Sequence, residues 1–203
     1  ARTLHSGGTD GGTRINLNDS SAQITVTGKG RIHQLKVICP NAYTGTAITV
    51  QGQADFSGIV SVLSGVIIEK PGWESGQYTG TALLIDAPTD TCVAWSSFSN
   101  IQINGFEYAL KMTAGPGGVG EICTLNFNSV HIQRSKYAIK IDSGTAGINF
   151  GHTFAGVYID GYNGVADGIH LASSGGSTGE NKFLGVYIGN VGYFSGKTIK
   201  IDS

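Results

Sequence analysis

The sequence predicts an all-β chain, a right-handed single-stranded parallel β-helix of about five to seven coils. Three observations predict it. Tyr137-Ala138-Ile139-Lys140-Ile141 has a near copy, Tyr108-Ala109-Leu110-Lys111-Met112, lying 29 residues upstream. Looser copies are Thr46-Ala47-Ile48-Thr49-Val50, Thr81-Ala82-Leu83-Leu84-Ile85, Asp167-Gly168-Ile169-His170-Leu171 and Lys197-Thr198-Ile199-Lys200-Ile201. A second apolar series runs ahead of the later copies: Val66-Ile67-Ile68, Ile101-Gln102-Ile103, Val130-His131-Ile132, Val157-Tyr158-Ile159 and Val186-Tyr187-Ile188. Its starts at Ile101, Val130, Val157 and Val186 are separated by 29, 27 and 29 residues.

Two short strands cannot bury an apolar face by themselves. If each unit makes one turn, equivalent strands stack in parallel about 4.8 Å apart and their inward residues form columns. The predicted columns are Ile103, Ile132, Ile159 and Ile188; Leu110, Ile139, Ile169 and Ile199; and Met112, Ile141, Leu171 and Ile201. β-Branched residues suit such a pleated, buried surface. Ala82, Ala109, Ala138 and Gly168 are read as a tight corner. A propeller blade has about 40 residues and four strands, which fits this interval less well. A jelly roll is the other structural alternative. Right-handedness follows the general crossover rule.

In chain order, residues 1–21 form a polar, glycine-rich leading segment, and 22–203 form the β-helix domain, with the clearest repeats over 98–203. Ile24 and Val26, then Ile32, Leu35 and Val37, give two strands around Thr27-Gly28-Lys29-Gly30. Residues 46–50 give the next strand, and 53–63 fit either a short helix or a strand. A strand over 65–69 stops at Lys70-Pro71-Gly72, which places Trp73, Glu74, Gln77 and Tyr78 on a loop. Residues 81–86 resume the series, and 91–97 suggest a third short strand. Glycine-rich excursions at Ala114–Gly120 and Ser173–Gly179 close later units. The chain stops on a strand, so its last rung is expected to be covered by partner chains or to continue into a longer coil.

Composition narrows the class. The 203 residues carry a net charge of -1, which provides no basic footprint for nucleic acid. No apolar run approaches the length of a membrane helix, so no membrane insertion is expected. The three cysteines, Cys39, Cys92 and Cys123, make neither a disulfide scaffold nor a close metal motif. The five histidines are too scattered for a metal site, and no cofactor is expected.

The alternation that defines the core also defines the outer surface. Lys111, Lys140, His170 and Lys200 face out as a basic column, preceded by Thr49 and Leu84. The matching line of the first series is Ile67, Gln102, His131, Tyr158 and Tyr187. Tyrosines on consecutive rungs offer flat faces to a sugar chain, and the basic column offers contacts to acidic sugars. The competing reading is solvated decoration or a subunit interface. Candidate carboxyls for glycoside cleavage are Glu107, Asp142, Asp160 and Asp167. For a lyase, His131 or a tyrosine would act as base, with Lys140 or Arg134 neutralising a sugar carboxylate. A solitary solvent-facing acid is more often structural or solvating than catalytic.

The Asn/Ser-x-x-Ile units and the Tyr-Ala-Ile/Leu-Lys-Ile/Met rungs resemble the β-helical body of bacteriophage tailspike proteins. The resemblance covers residues 98–203 and extends less closely back to about residue 22. It implies a homotrimer in the virion tail, working outside the host cell and binding capsule, O-antigen or another surface glycan. Many tailspikes also cleave that glycan with paired acidic residues, but no such pair transfers onto this chain. The resemblance therefore favours a glycan-recognising adhesin, with a polysaccharide depolymerase or a structural assembly domain as alternatives.

Overall fold

A computed structural model describes residues 13–28, 30–54, 60–71, 78–115, 118–160, 167–173, 175–189 and 197–202. The expected loop residues Trp73, Glu74 and Gln77, most of the leading segment and the centre of the 53–63 segment lie outside them. The chain passes in turn through strands that belong to three sheets, A, B and C. The first passes are β1 (Thr13–Asn16) and β2 (Ile24–Thr27), then β3 (Ile32–Ile38) and β4 (Thr46–Gln51). Three-sheet coils follow: β5 (Val60–Glu69), β6 (Thr81–Ala87) and β7 (Cys92–Ala94); then β8 (Ser96–Asn104), β9 (Tyr108–Ala114) and β10 (Glu121–Cys123). The next is β11 (Asn126–Gln133), β12 (Tyr137–Asp142) and β13 (Ile148–Phe150). In the sixth pass the first strand divides into β14 (Thr153–Ala155) and β15 (Tyr158–Asp160), followed by β16 (Asp167–Ala172) and β17 (Ser177–Gly179). The last is β18 (Lys182–Leu184), β19 (Tyr187–Gly189) and β20 (Lys197–Asp202).

Sheet A runs β1-β3-β5-β8-β11-β14-β18, with β15 and β19 continuing it beyond β11. Sheet B runs β2-β4-β6-β9-β12-β16-β20, and sheet C runs β7-β10-β13-β17. Every named strand pair is parallel, as in a right-handed β-helix. Among the described residues no helix is long and apolar enough to cross a membrane.

The predicted register is the observed one: Ile132 pairs with Ile103 and Ile159, Ile139 with Leu110 and Ile169, and Ile141 with Met112 and Leu171. Their side chains are buried in the coil except Leu171, which is partly exposed, and on the last rung Ile199 and Ile201 are exposed. Two sequence expectations are corrected. Ala82, Ala109 and Ala138 are not a corner; they lie one residue inside the sheet B strands, buried next to another inward residue. The Ser173–Gly179 excursion ends in strand β17, so the third short strand recurs as sheet C. β5 stops after Glu69, as the sequence predicts, and the next residue is Lys70. Its Nζ is buried and donates to the Tyr43 and Thr79 carbonyls and to Thr79 Oγ1, closing the turn out of β5.

Sheet A bends along one line. Gln34, Gly65, Asn100, Ser129, Gly156 and Gly185 occupy equivalent positions and all have positive φ. The left-handed conformation costs a non-glycine residue about 1–2 kcal/mol, so packing must hold Gln34, Asn100 and Ser129 there. The bend inserts one residue into the alternation. Phe127 and Val130 therefore both point inward although they are three apart. Ahead of the bend, Phe98, Phe127, Phe154 and Phe183 stack in the lumen with centroids 4.8, 4.7 and 5.0 Å apart.

The core also contains a polar relay. His152 is fully buried, and its Nδ1 accepts from the Leu125 N–H at 3.3 Å. That bond assigns the proton to Nε2, which donates to Asn149 Oδ1 at 2.8 Å. Asn149 Nδ2 donates in turn to the Met112 and Asp142 carbonyls. The relay joins β9, β12 and β13 to the segments entering β11 and β14, with each polar atom partnered. Burial pushes the His152 imidazole down from 6.5 to about 3. The unfolded chain takes up this proton below about pH 6.5, whereas the folded chain resists it until about pH 3. The associated stability is therefore complete above that window and falls on acidification by about 1.4 kcal/mol per pH unit within it. A His152→Gln variant is expected to have a flatter Tm-against-pH curve from neutral to acid pH than the parent. Parallel curves would contradict this role for His152.

Candidate functional site

Parallel stacking places outward side chains of equivalent residues in ladders. On sheet A the ladder is Lys36, Ile67, Gln102, His131, Tyr158 and Tyr187. His131 meets Tyr158 edge-on at 4.7 Å, and Tyr158 stacks on Tyr187 at 4.8 Å with an interplanar angle of 11°. The two tyrosines are 40% and 56% exposed. The stack changes the sequence-based picture of flat faces turned outward. The faces of Tyr158 and Tyr187 meet along the coil, so the ladder presents ring edges and hydroxyls to a chain lying over it. Burial first, then Asp160 and Tyr187, pushes the Tyr158 phenol up, which keeps it a neutral hydrogen-bond donor. Gly189 lies beneath the Tyr187 ring, where a Cβ would come within 2.7 Å of it.

On sheet B, Lys111, Lys140, His170 and Lys200 are in register as predicted, but His170 is buried between Asp167 and Asp202 rather than open to solvent. Asp142 and Asp167 are named from the sequence as candidate acids, but not as neighbours of this column. Residues two apart on a strand share a face, and Asp86, Asp142 and Asp202 occupy the neighbouring column. Lys140 lies 3.7 Å from Asp142, and His170 Nε2 and Lys200 Nζ each lie 2.8 Å from Asp202. His170 Nδ1 is also 3.9 Å from Asp167. The upper part of the basic column is therefore charge-compensated. Hydrogen bonds from Lys200 and then His170 lower the Asp202 pKa. Burial raises the Asp86 pKa against a smaller opposing effect of Lys111.

The same face has a second aromatic ladder. Tyr108 and Tyr137 stack at 4.9 Å and 15°. Lys111 Nζ lies 5.1 Å and Lys140 Nζ 5.8 Å from the Tyr108 centroid, while Lys136 lies 5.3 Å from that of Tyr137. Sequence reading treated these tyrosines only as the starts of a repeat. Their position three residues before the outward lysines was the available signal.

The candidate acids do not form one cluster. Glu107 is at the turn between sheets A and B and pairs with Lys136 at 3.4 Å. Asp142 accepts the Gly144 N–H at 3.0 Å, which shapes the turn after β12. Asp160 ends β15 and Asp167 starts β16, and the turn between them lies outside the described residues. Asp167 is nearly buried beside His170. Arg134 has a positive φ at the turn after β11, and its N–H donates to the Asp160 carbonyl. Cys39, Cys92 and Cys123 are free thiols. Among the described residues no group of three or more His, Cys, Asp or Glu is arranged to hold a metal ion.

No family model, curated protein or solved structure matches the chain. The fold provides a solenoid scaffold typical of carbohydrate-binding and carbohydrate-processing proteins. It is consistent with phage tailspike-type proteins without being specific to them.

Proposed function

We propose that the chain is the receptor-binding β-helix of a homotrimeric phage tailspike-type adhesin that recognises bacterial capsule, O-antigen or another surface glycan outside the cell. The observation that carries the proposal is the sheet A ladder. His131, Tyr158 and Tyr187 repeat at the strand interval, with partly exposed rings on an otherwise regular coil. A glycan extended along the coil meets a polar aromatic edge on successive rungs, and the phenol hydroxyls donate to its hydroxyls.

One observation favours a second reading, hydrolysis of the glycan. Asp142 and Asp202 stand two rungs apart in one outward column, with only Ala172 between them. Their backbones are then roughly 9–10 Å apart, at the wide end of carboxyl separations in inverting hydrolases.

Incubation with bacterial capsule and O-antigen preparations separates these readings. Tight binding to an unchanged polymer is expected for the adhesin. New reducing ends favour hydrolysis, and an unsaturated end favours elimination. The absence of both binding and cleavage leaves assembly as the function. A Tyr158→Ala/Tyr187→Ala variant is expected to bind the glycan more weakly while keeping its oligomeric mass and far-UV spectrum. Unchanged affinity would exclude the ladder as the site, and loss of the trimer would identify it as a subunit interface.

A further inference from the structure

The basic residues of sheet B differ in their acidic partners. His170 and Lys200 share Asp202, whereas Lys111 forms no ion pair among the described residues and lies over Tyr108. Its nearest cationic neighbour in the ladder is Lys140, directly paired with it across adjacent strands. Like charges placed opposite each other in a sheet are destabilising. Asp142, at 3.7 Å from Lys140, and Asp86, whose carboxyl Lys111 acts on, offset this from the neighbouring column. Both ammonium groups approach the same ring, Tyr108, whose stacked partner Tyr137 extends the aromatic edge by one rung.

We infer that Lys111 and Lys140, together with the Tyr108–Tyr137 edge, form a binding site for the carboxylate of an acidic sugar. The inference rests on the glycan reading above and specifies its chemical class. The carboxylate bridges the two ammonium groups and relieves their repulsion. The sugar ring lies along the tyrosine edge and receives hydrogen bonds from the phenols. This site is separate from the sheet A ladder. It does not use His170 or Lys200, which already pair with Asp202.

The test compares hexagalacturonate with its methyl ester, which keeps the shape and removes the charge. The parent protein is expected to bind the free acid more tightly, and added salt should narrow the difference. Lys111→Ala/Lys140→Ala is expected to lose roughly tenfold in affinity for the acid while leaving the ester unaffected. Lys111→Met/Lys140→Met should behave alike and checks that lost packing is not the cause. Lys182→Ala removes one exposed lysine from sheet A and is expected to leave acid binding unchanged. Equal binding of the acid by parent and double variants, or no binding of it by the parent, would overturn the site. If the parent still binds a neutral surface polysaccharide, the glycan reading survives that failure. If it binds no glycan, both fall together.

Discussion

Gly147→Ala is expected to destabilise the coil by at least about 3 kcal/mol, enough to lower Tm by roughly 6–12 °C in a chain of this size. Gly147 precedes β13, where the chain leaves sheet B and enters sheet C. A Cβ there would lie 2.0 Å from the Ala114 carbonyl oxygen and 2.4 Å from that of Ser143. Both obstacles are backbone, so no side-chain rotation relieves the overlap. Gly120 is at the equivalent position one coil earlier and meets the Ala87 oxygen at the same 2.0 Å. The penalty therefore belongs to the corner itself. Gly179→Ala provides the comparison within the same sheet. Nothing lies within 4 Å of its Cβ position, and a change within about 0.5 kcal/mol is expected. Thermal unfolding of the two variants checks the argument, and similar losses for both would contradict it.

Phe127→Ala is expected to cost about 3–5 kcal/mol, through lost burial and a cavity between two rings. Phe127 has no exposed surface and is stacked on both faces, against Phe98 and Phe154. Phe183 ends the same stack, contacts one ring and is only partly buried, so Phe183→Ala should cost distinctly less. Denaturant midpoints measure both. The reverse order would mean that the stack is not a continuous element of the core.

The reach of sequence reasoning follows from these same residues. Ile132, Ile139 and Ile141 were legible because the equivalent positions recur at nearly constant spacing, one coil taking 27 to 30 residues. The phenylalanine stack has the same period, yet it was missed. The left-handed residue at Ser129 shifts the alternation by one, so Phe127 falls out of phase with Val130. Sheet C was legible only at its first strand. Its strands have three residues, and their inward positions change from Val93 and Ile122 to Asn149 and Thr178, which removes any common apolar signature.

On the surface, the register of Lys111, Lys140, His170 and Lys200 was legible because outward residues alternate with the core. The charge balance was not, because it required the acids to be read on the same face two residues later. Asp202 is the clearest omission, since it binds both His170 and Lys200. The stacking of Tyr158 on Tyr187 was also hidden. Residue identity specifies that two rings are neighbours, but the side-chain angles decide whether their faces meet each other or the solvent.

The sheet A ladder of this coil is the proposed receptor for surface glycan. Hydroxyl-radical footprinting of the intact protein, with and without capsule or O-antigen, reads these side chains directly. The account predicts that bound glycan protects Tyr158 and Tyr187 on sheet A. Binding that leaves both tyrosines as reactive as in the free protein would contradict it.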